Sequence, residues 1–328
     1  MSEEEATEHT EEQPKKGLLG KITRILFPIG TFFLKKSKQI IIVKSSGLSL
    51  YHLLEIYGTG IIKGTFSSRA SSIAYSFFVA LFPFLLFILN LIPYVPVEDF
   101  QRKFLVFIEE LLPAQTVEFF YPTIADIAVN ARGGLLSVSI ILSLFLAANG
   151  VNAIFSAFEY SFHVTINRNF FRQYGVAFLV SIFLALLLLI TVGVISYGEY
   201  VIANLVGRSY LSDSVFWITT LQFTVFVIMI YVVISTLYYY GTKEGKQSRF
   251  LSIGALITTF LFLGTTYFFT IYINNFSNYN ELYGSIGALL IMMLYIWINA
   301  NLLLLGFELN ISLQRLKDKN KQYTNTKP

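Results

Sequence analysis

Three features of this sequence predict an all-α, polytopic membrane protein with six transmembrane helices plus interfacial, amphipathic helices. The first is composition. Of 328 residues, 55% are hydrophobic and 13% charged, with a mean hydropathy of +0.62; soluble domains carry about 25% charged residues. The second is a set of six charge-poor stretches, each long enough to cross a hydrocarbon core of ~30 Å as a helix. The third is a strong asymmetry of Lys and Arg between alternating loops.

The chain divides as follows. Residues 1–17 read as a disordered acidic tail, because residues 1–16 hold six glutamates and no apolar cluster. That acidic start, without an apolar h-region, also argues against a signal peptide. Residues 18–69 read as cytoplasmic interfacial helices. The run Ile25 to Leu34 is too short to span and contains Pro28 and Gly30. Leu48 to Ile62 is amphipathic, and Lys35, Lys36, Lys38, Lys44 and Lys63 flank these pieces. Such helices suit an anionic leaflet; packing beneath the bundle is the open alternative.

Residues 70–310 form the predicted membrane domain. Its spans are about Ala70–Val95, Gly134–Phe158, Tyr174–Tyr197, Ser214–Tyr240, Phe250–Ile273 and Gly284–Glu308. Between the first two, residues 96–133 are amphipathic and read as an outer cap. A helix there should stop at Pro113, with Phe104, Phe107, Ile108, Leu111, Phe119 and Phe120 covering the bundle mouth. Residues 311–328 read as a basic cytoplasmic tail. Counting Lys and Arg puts 20 on the side of both termini and four on the other. Both termini are therefore expected in the cytoplasm of a bacterial inner-membrane protein. The same distribution explains the net charge of +4 without nucleic acid. Membrane lipids are the expected partners, and oligomeric state is not readable. No internal repeat of the inverted-transporter kind is visible.

Polar groups within apolar spans are the candidate functional residues, because each is costly in hydrocarbon. On the first span Arg69, Ser72, Ser76, Pro83 and Asn90 share one face, and Pro83 removes a mid-helix hydrogen bond. On the second, Asn149, Asn152, Ser156, Glu159 and His163 lie within about 80° around the helix. They fit either a substrate or proton path or plain interhelical glue. The sixth span is polar on two sides, with Ser285, Tyr295, Asn299, Gly306 and Asn310 on one and Gly287, Asn301 and Glu308 on the other. Glu308 lies at the depth of Arg69, so a structural ion pair is expected in preference to a coupling carboxylate. Tyr283, Gly284 and Ser285 should begin this helix, Gly284 allowing a sharp bend into it. In the fifth span Gly254, Thr258 and Thr265 suggest a close-packing seam.

Three of these stretches resemble one family. The run R-A-S-S-I-A-Y-S-F-F-V-A-L-F-P from Arg69, which includes Tyr75, resembles the signature segment of the YihY/BrkB membrane proteins. The stretches L-A-A-N-G-V-N-A-I-F-S-A-F-E-Y-S-F and Y-G-S-I-G-A-L-L, the latter followed by G-F-E-L-N at Gly306, resemble that family too. The likeness covers roughly residues 48 to 313. It implies six membrane helices and, by proposals made for the family, transport of a lipid-like or amphipathic envelope substrate. A non-transporting scaffold of an envelope complex is the alternative. An older ribonuclease label for the family finds little support in the residues. The chain has no Cys and three His, and its acidic groups fall near opposite membrane faces, whereas metal-assisted phosphodiester cleavage needs clustered ligands. P-loop and serine-elbow motifs are absent. The expectation is therefore no enzyme, no cofactor and no metal, with any cavity lying between spans one, two and six.

The absence of cysteine makes the topology testable. Single cysteines at Ser2, Asn169 and Thr326 should be shielded from an impermeant thiol reagent in intact cells, and those at Thr116, Ser212 and Asn278 should react. The reverse pattern would invert the orientation.

Overall fold

Apolar stretches that must satisfy every backbone N–H and C=O without water fold as helices, and the membrane domain is all-α. The computed structural model describes residues 41–43, 48–49, 65–95, 97, 99–111, 117, 121–122, 124–125, 136–160, 169–207, 213–247, 249–275 and 285–325. The chain forms two compact units, Met1–Glu55 and Ile56–Pro328.

In the first unit, β1 (Ile41–Val43) pairs antiparallel with β2 (Leu48–Ser49). This corrects the helix expected from Leu48. The β-branched run of β1 favours an extended chain. The other residues expected in interfacial helices, up to residue 64, and the acidic tail lie outside the described residues.

The second unit contains α1 (Thr65–Leu91), α2 (Phe100–Leu111), α3 (Leu136–Glu159), α4 (Phe170–Gly207), α5 (Ser214–Gly241), α6 (Ile253–Asn275) and α7 (Ser285–Asn325). All but α2 are long and apolar enough to cross a membrane. Around the bundle the neighbours are α1–α3, α3–α4, α4–α5, α5–α6, α6–α7 and α7–α1. The α1–α3 contact is close because Gly150 has no side chain; a Cβ there would lie 2.8 Å from the Ala80 Cβ.

Two helices outrun their predicted spans. At a rise of 1.5 Å per residue, α4 and α7 are about 57 and 60 Å long, roughly twice the hydrocarbon thickness. In α4, Gly198 lets Leu221 of α5 come close just past the predicted end, and no Pro interrupts the helix up to Gly207. In α7, Leu309, Ile311 and Leu313 are buried beyond Glu308. No Gly or Pro interrupts residues 307–325, so the expected tail is helical through Asn325.

The helix α2 ends two residues before Pro113, as the steric restriction ahead of proline requires. Its Phe100, Phe104, Phe107 and Ile108 are buried with Ile88 of α1 and Leu189 of α4. Phe119 and Phe120 lie outside the described residues. Where α2 ends, burial raises the Glu110 carboxyl above its ordinary range, and repulsion from Glu199 and Glu109 adds to this.

Three core clusters show how the bundle is closed. One joins residues of all six spans, including Ala70, Phe158, Val180, Tyr238, Ala255 and Phe307. The second contains residues of α1, α2, α3, α4, α5 and α7, but none of α6. The third holds Phe269 and Ile273 of α6 with Ile291 of α7. Among the described residues, the core shared by all six spans lies at the end where Arg69 and Glu308 lie.

Candidate functional site

At that end, α1, α3 and α7 meet around one guanidinium. Arg69 Nε donates to the Ala157 carbonyl at 2.9 Å, and Nη2 donates to the same oxygen. Its Nη1 stands 3.6 Å from Glu308 Oε1, with the two side chains 10% and 2% exposed. The arrangement follows from position. Ala157 lies in the last turn of α3, where carbonyls lack helical donors and carry the negative end of the dipole. A fixed fork of N–H donors can hold such a carbonyl and a carboxylate together. The ring of Phe66 lies 5.4 Å from the guanidinium carbon. The ion pair expected from matched depth is formed.

Beside it, aromatic rings fill the bundle axis. Phe158 of α3 and Phe307 of α7 stack at 4.1 Å, and Tyr238 of α5 meets each edge-on at 5.7 Å. The Tyr238 hydroxyl donates to the Leu303 carbonyl at 2.8 Å and stands 2.8 Å from Thr258 Oγ1. Only glycine fits at 306, because a Cβ would collide with Thr258 Oγ1 and the Tyr238 hydroxyl. Gly254 likewise lets α6 lie against Gly306 and Asn310. The seam expected at Gly254 and Thr258 is present. At this end of spans one, two and six, Phe158, Phe307, Arg69 and Glu308 are packed together.

The polar stripe of α3 divides. Asn152, Ser156 and Glu159 face Gln173 at the start of α4. With its amide turned to satisfy both ends, Gln173 donates to Glu159 Oε2 at 3.0 Å and accepts from Ser156 Oγ at 2.9 Å. Its oxygen also lies 3.2 Å from the Asn152 amide. Asn149 stands apart and exposed, with the Tyr174 hydroxyl 3.0 Å from its Oδ1 and 2.7 Å from the Phe145 carbonyl. His163 lies outside the described residues.

On α1 the predicted polar face divides: Arg69 packs inward and the rest is open. Ser72 and Tyr75 are exposed, and Ser76, Pro83 and Asn90 are half-buried, whereas Phe66, Ala70, Ile73, Ala74 and Ala80 are buried. Small and apolar residues make the closest helix contacts, and polar ones turn outward. Pro83 lies inside an unbroken helix. On α7, the Asn299 amide donates to the Tyr295 carbonyl at 2.9 Å; its residue is buried and its Oδ1 lacks a protein partner. Asn301 donates to the Trp297 carbonyl at 2.8 Å. Tyr283 and Gly284 lie outside the described residues, and Ser285 is the first residue of α7. Sequence reasoning missed Gln173, Tyr238, Phe158 and Phe307. Only Gln173, a lone amide at the head of an apolar span, carried a signal.

A second feature lies on α5. Ile230, Tyr231, Ile234 and Tyr238 share one helix face and pack in the common core. Toward the start of α5 the same face carries Phe216, Thr220 and Phe223, all exposed. With Thr219 these residues line a shallow, open depression of about 450 Å³ on the surface of α5. Its direction follows from the crossing of α5 and α6. Tyr238 and Tyr231 reach Thr258 and the Ser252 carbonyl, near the start of α6. Among the described residues no core cluster joins the first half of α5 to α6. The later stretch of α6 presents Thr266, bonded to the Tyr295 hydroxyl at 2.7 Å, and exposed Thr270.

This architecture defines a polytopic α-helical membrane protein. The chain belongs to the family described as Virulence factor BrkB, which matches residues 60–328. It is 32% identical over 257 residues to the putative ribonuclease-like protein YfkH of Bacillus subtilis (strain 168), covering 76% of this chain and 90% of that one. It is 24% identical over 249 residues to a UPF0761 membrane protein of Coxiella burnetii (strain RSA 493 / Nine Mile phase I), covering 73% and 84%. A UPF0761 membrane protein of Psychrobacter sp. (strain PRwf-1) is 24% identical over 259 residues, covering 77% of this chain and 46% of that one. No solved structure matches.

Removing one partner of a buried ion pair leaves an uncompensated charge, at a cost of about 3–5 kcal/mol. Arg69→Ala and Glu308→Gln should each lower the folded yield and melting temperature. The double variant should lose less than the sum, with a coupling of roughly 0.5–3 kcal/mol in a thermal-melt cycle. Strict additivity would mean that the pair does not form in the membrane.

Proposed function

We propose that this protein moves an amphipathic, lipid-like envelope substrate across the bacterial inner membrane, along the groove of α5. The observation that carries this reading is the change along one helix face. It is core where Ile234 and Tyr238 lie and exposed where Phe216, Thr219, Thr220 and Phe223 lie. An interior face left open within a membrane-spanning helix offers apolar walls to acyl chains. Hydroxyls at Thr219 and Thr220 offer contacts to a polar head. With both termini in the cytoplasm, the groove opens toward the outer half of the membrane. In this reading the path runs along the first half of α5.

A second reading, a non-transporting scaffold, draws support from the packed junction around Arg69. Hydrolase chemistry is disfavoured. Glu308 faces Arg69, Glu159 faces Gln173, and Glu199 accepts from Gln222 at 3.0 Å, with the last at the opposite end of the bundle. Among the described residues no group of three or more His, Asp or Glu could hold a metal.

Protein reconstituted in vesicles of bacterial envelope lipids should move a fluorescent short-chain lipid between leaflets faster than empty vesicles do. Thr220→Trp, which fills the groove, should cut the rate by about tenfold, equivalent to ~1.4 kcal/mol of barrier. Asn149→Leu, on the exposed flank of α3, should leave it unchanged. No transfer by folded wild-type protein across a panel of envelope lipids would favour the scaffold.

A further inference from the structure

Gln173 is a polar side chain only 7% exposed, held between the last turns of α3 and the first turn of α4. Burial makes the side chains around it decide its hydrogen bonds. One end of its amide meets the Glu159 carboxyl, at 3.0 and 3.3 Å from the two oxygens. The other end meets Ser156 Oγ at 2.9 Å and the Asn152 amide at 3.2 Å. These partners differ in kind. A hydroxyl gives or takes a hydrogen bond, and a primary amide does either by turning over. A carboxylate only accepts, whereas a protonated carboxyl also donates. Glu159 is therefore the member of the cluster whose role is decided by a proton.

Two arrangements satisfy the same positions. With Glu159 ionised, the Gln173 NH2 donates to the carboxylate, and its oxygen accepts from Ser156 and from the Asn152 NH2. With Glu159 protonated, the carboxyl O–H donates to the Gln173 oxygen. The Gln173 NH2 then donates to Ser156 Oγ at 2.9 Å and faces the Asn152 oxygen. The change from one to the other is a half-turn of two amides, with no helix displaced. We infer that Glu159 is a proton-binding site and Gln173 its reader, which turns over when the proton binds and passes the change to Ser156 and Asn152, one and two turns back along α3. This inference stands independently of the transport reading. With both termini in the cytoplasm, the half-buried carboxyl takes its proton from that side.

Other ionisable groups lie on the elements packed against α3. From α1 and α7 come Arg69 and Glu308, which face each other. From α5 comes Tyr238, bonded to the Leu303 carbonyl, with Lys243 and Glu244 just past the helix end. From α4 come exposed Arg172 and Tyr174, whose hydroxyl bonds to the Phe145 carbonyl. These groups help set the pH at which the proton binds. Among the described residues none of them is a hydrogen-bond partner of the Gln173 side chain, so they do not choose its orientation.

The test follows carboxyl and amide separately. Protein in lipid vesicles is titrated between about pH 4 and about pH 9, the range in which most protein carboxyls lose their proton. Difference infrared spectroscopy follows the protonated carboxyl, the Glu159 signal being the part lost in Glu159→Gln. Solid-state NMR of protein with isotope-labelled nitrogen in its glutamine side chains follows Gln173, whose signal is the one missing from Gln173→Leu. The Gln173 signal should shift with pH at the same midpoint as the Glu159 carboxyl, and the shift should be lost in Glu159→Gln. If Glu159→Gln does not fold, Glu159→Asp replaces it, and carboxyl and amide midpoints should move together. A Gln173 signal that stays fixed, that moves at a midpoint of its own, or that still titrates in Glu159→Gln overturns the inference.

Discussion

Apolar helices already dissolved in hydrocarbon gain little by exchanging lipid for one another, so close packing and polar ties must hold a bundle together. In this protein one guanidinium supplies the strongest of those ties. Arg69 satisfies a carbonyl at the end of α3 and neutralises Glu308 on α7 while belonging to α1. Three helices that are distant in sequence are thereby fixed at one depth. The pair is buried, so neither partner can be lost without stranding the other. Around this point the six spans share a single core, and Gly150, Gly254 and Gly306 allow the approaches that core requires.

What is clamped at one end is less constrained at the other. The helix α6 enters the common core through its first turns and afterwards packs with α7, while the first half of α5 packs with α4. A groove follows from that difference, lined by the face of α5 that is core further along.

The sequence reading recovered what periodicity and composition determine. Six spans were legible, because charge-free runs of that length have few alternatives in a membrane. The stop of α2 before Pro113 and the partnership of Arg69 with Glu308 were legible as well, the first from proline sterics and the second from matched depth. The ends of α4 and α7 were not; past Glu308 buried Leu309, Ile311 and Leu313 carry α7 on through packing. The packed face of α1 was not legible, because Ala70, Ala74 and Ala80 hold it by their small size. The aromatic cluster left no local mark, because Phe158, Tyr238 and Phe307 are ordinary apolar residues until three helices bring them together.

The central claim is that the bundle is closed at the Arg69 end and open along α5 at the other. Double electron–electron resonance between spin labels on introduced cysteines measures this most directly. A pair at Lys243 and Leu251, exposed near the closed end, should give a single narrow distance distribution. A pair at Thr220 of α5 and Thr270 of α6 should give a longer and broader one, which shifts when envelope lipid is added to detergent-solubilised protein. Equally short and narrow distributions for both pairs, insensitive to lipid, would mean that α5 and α6 stay together along their whole length and would contradict the account.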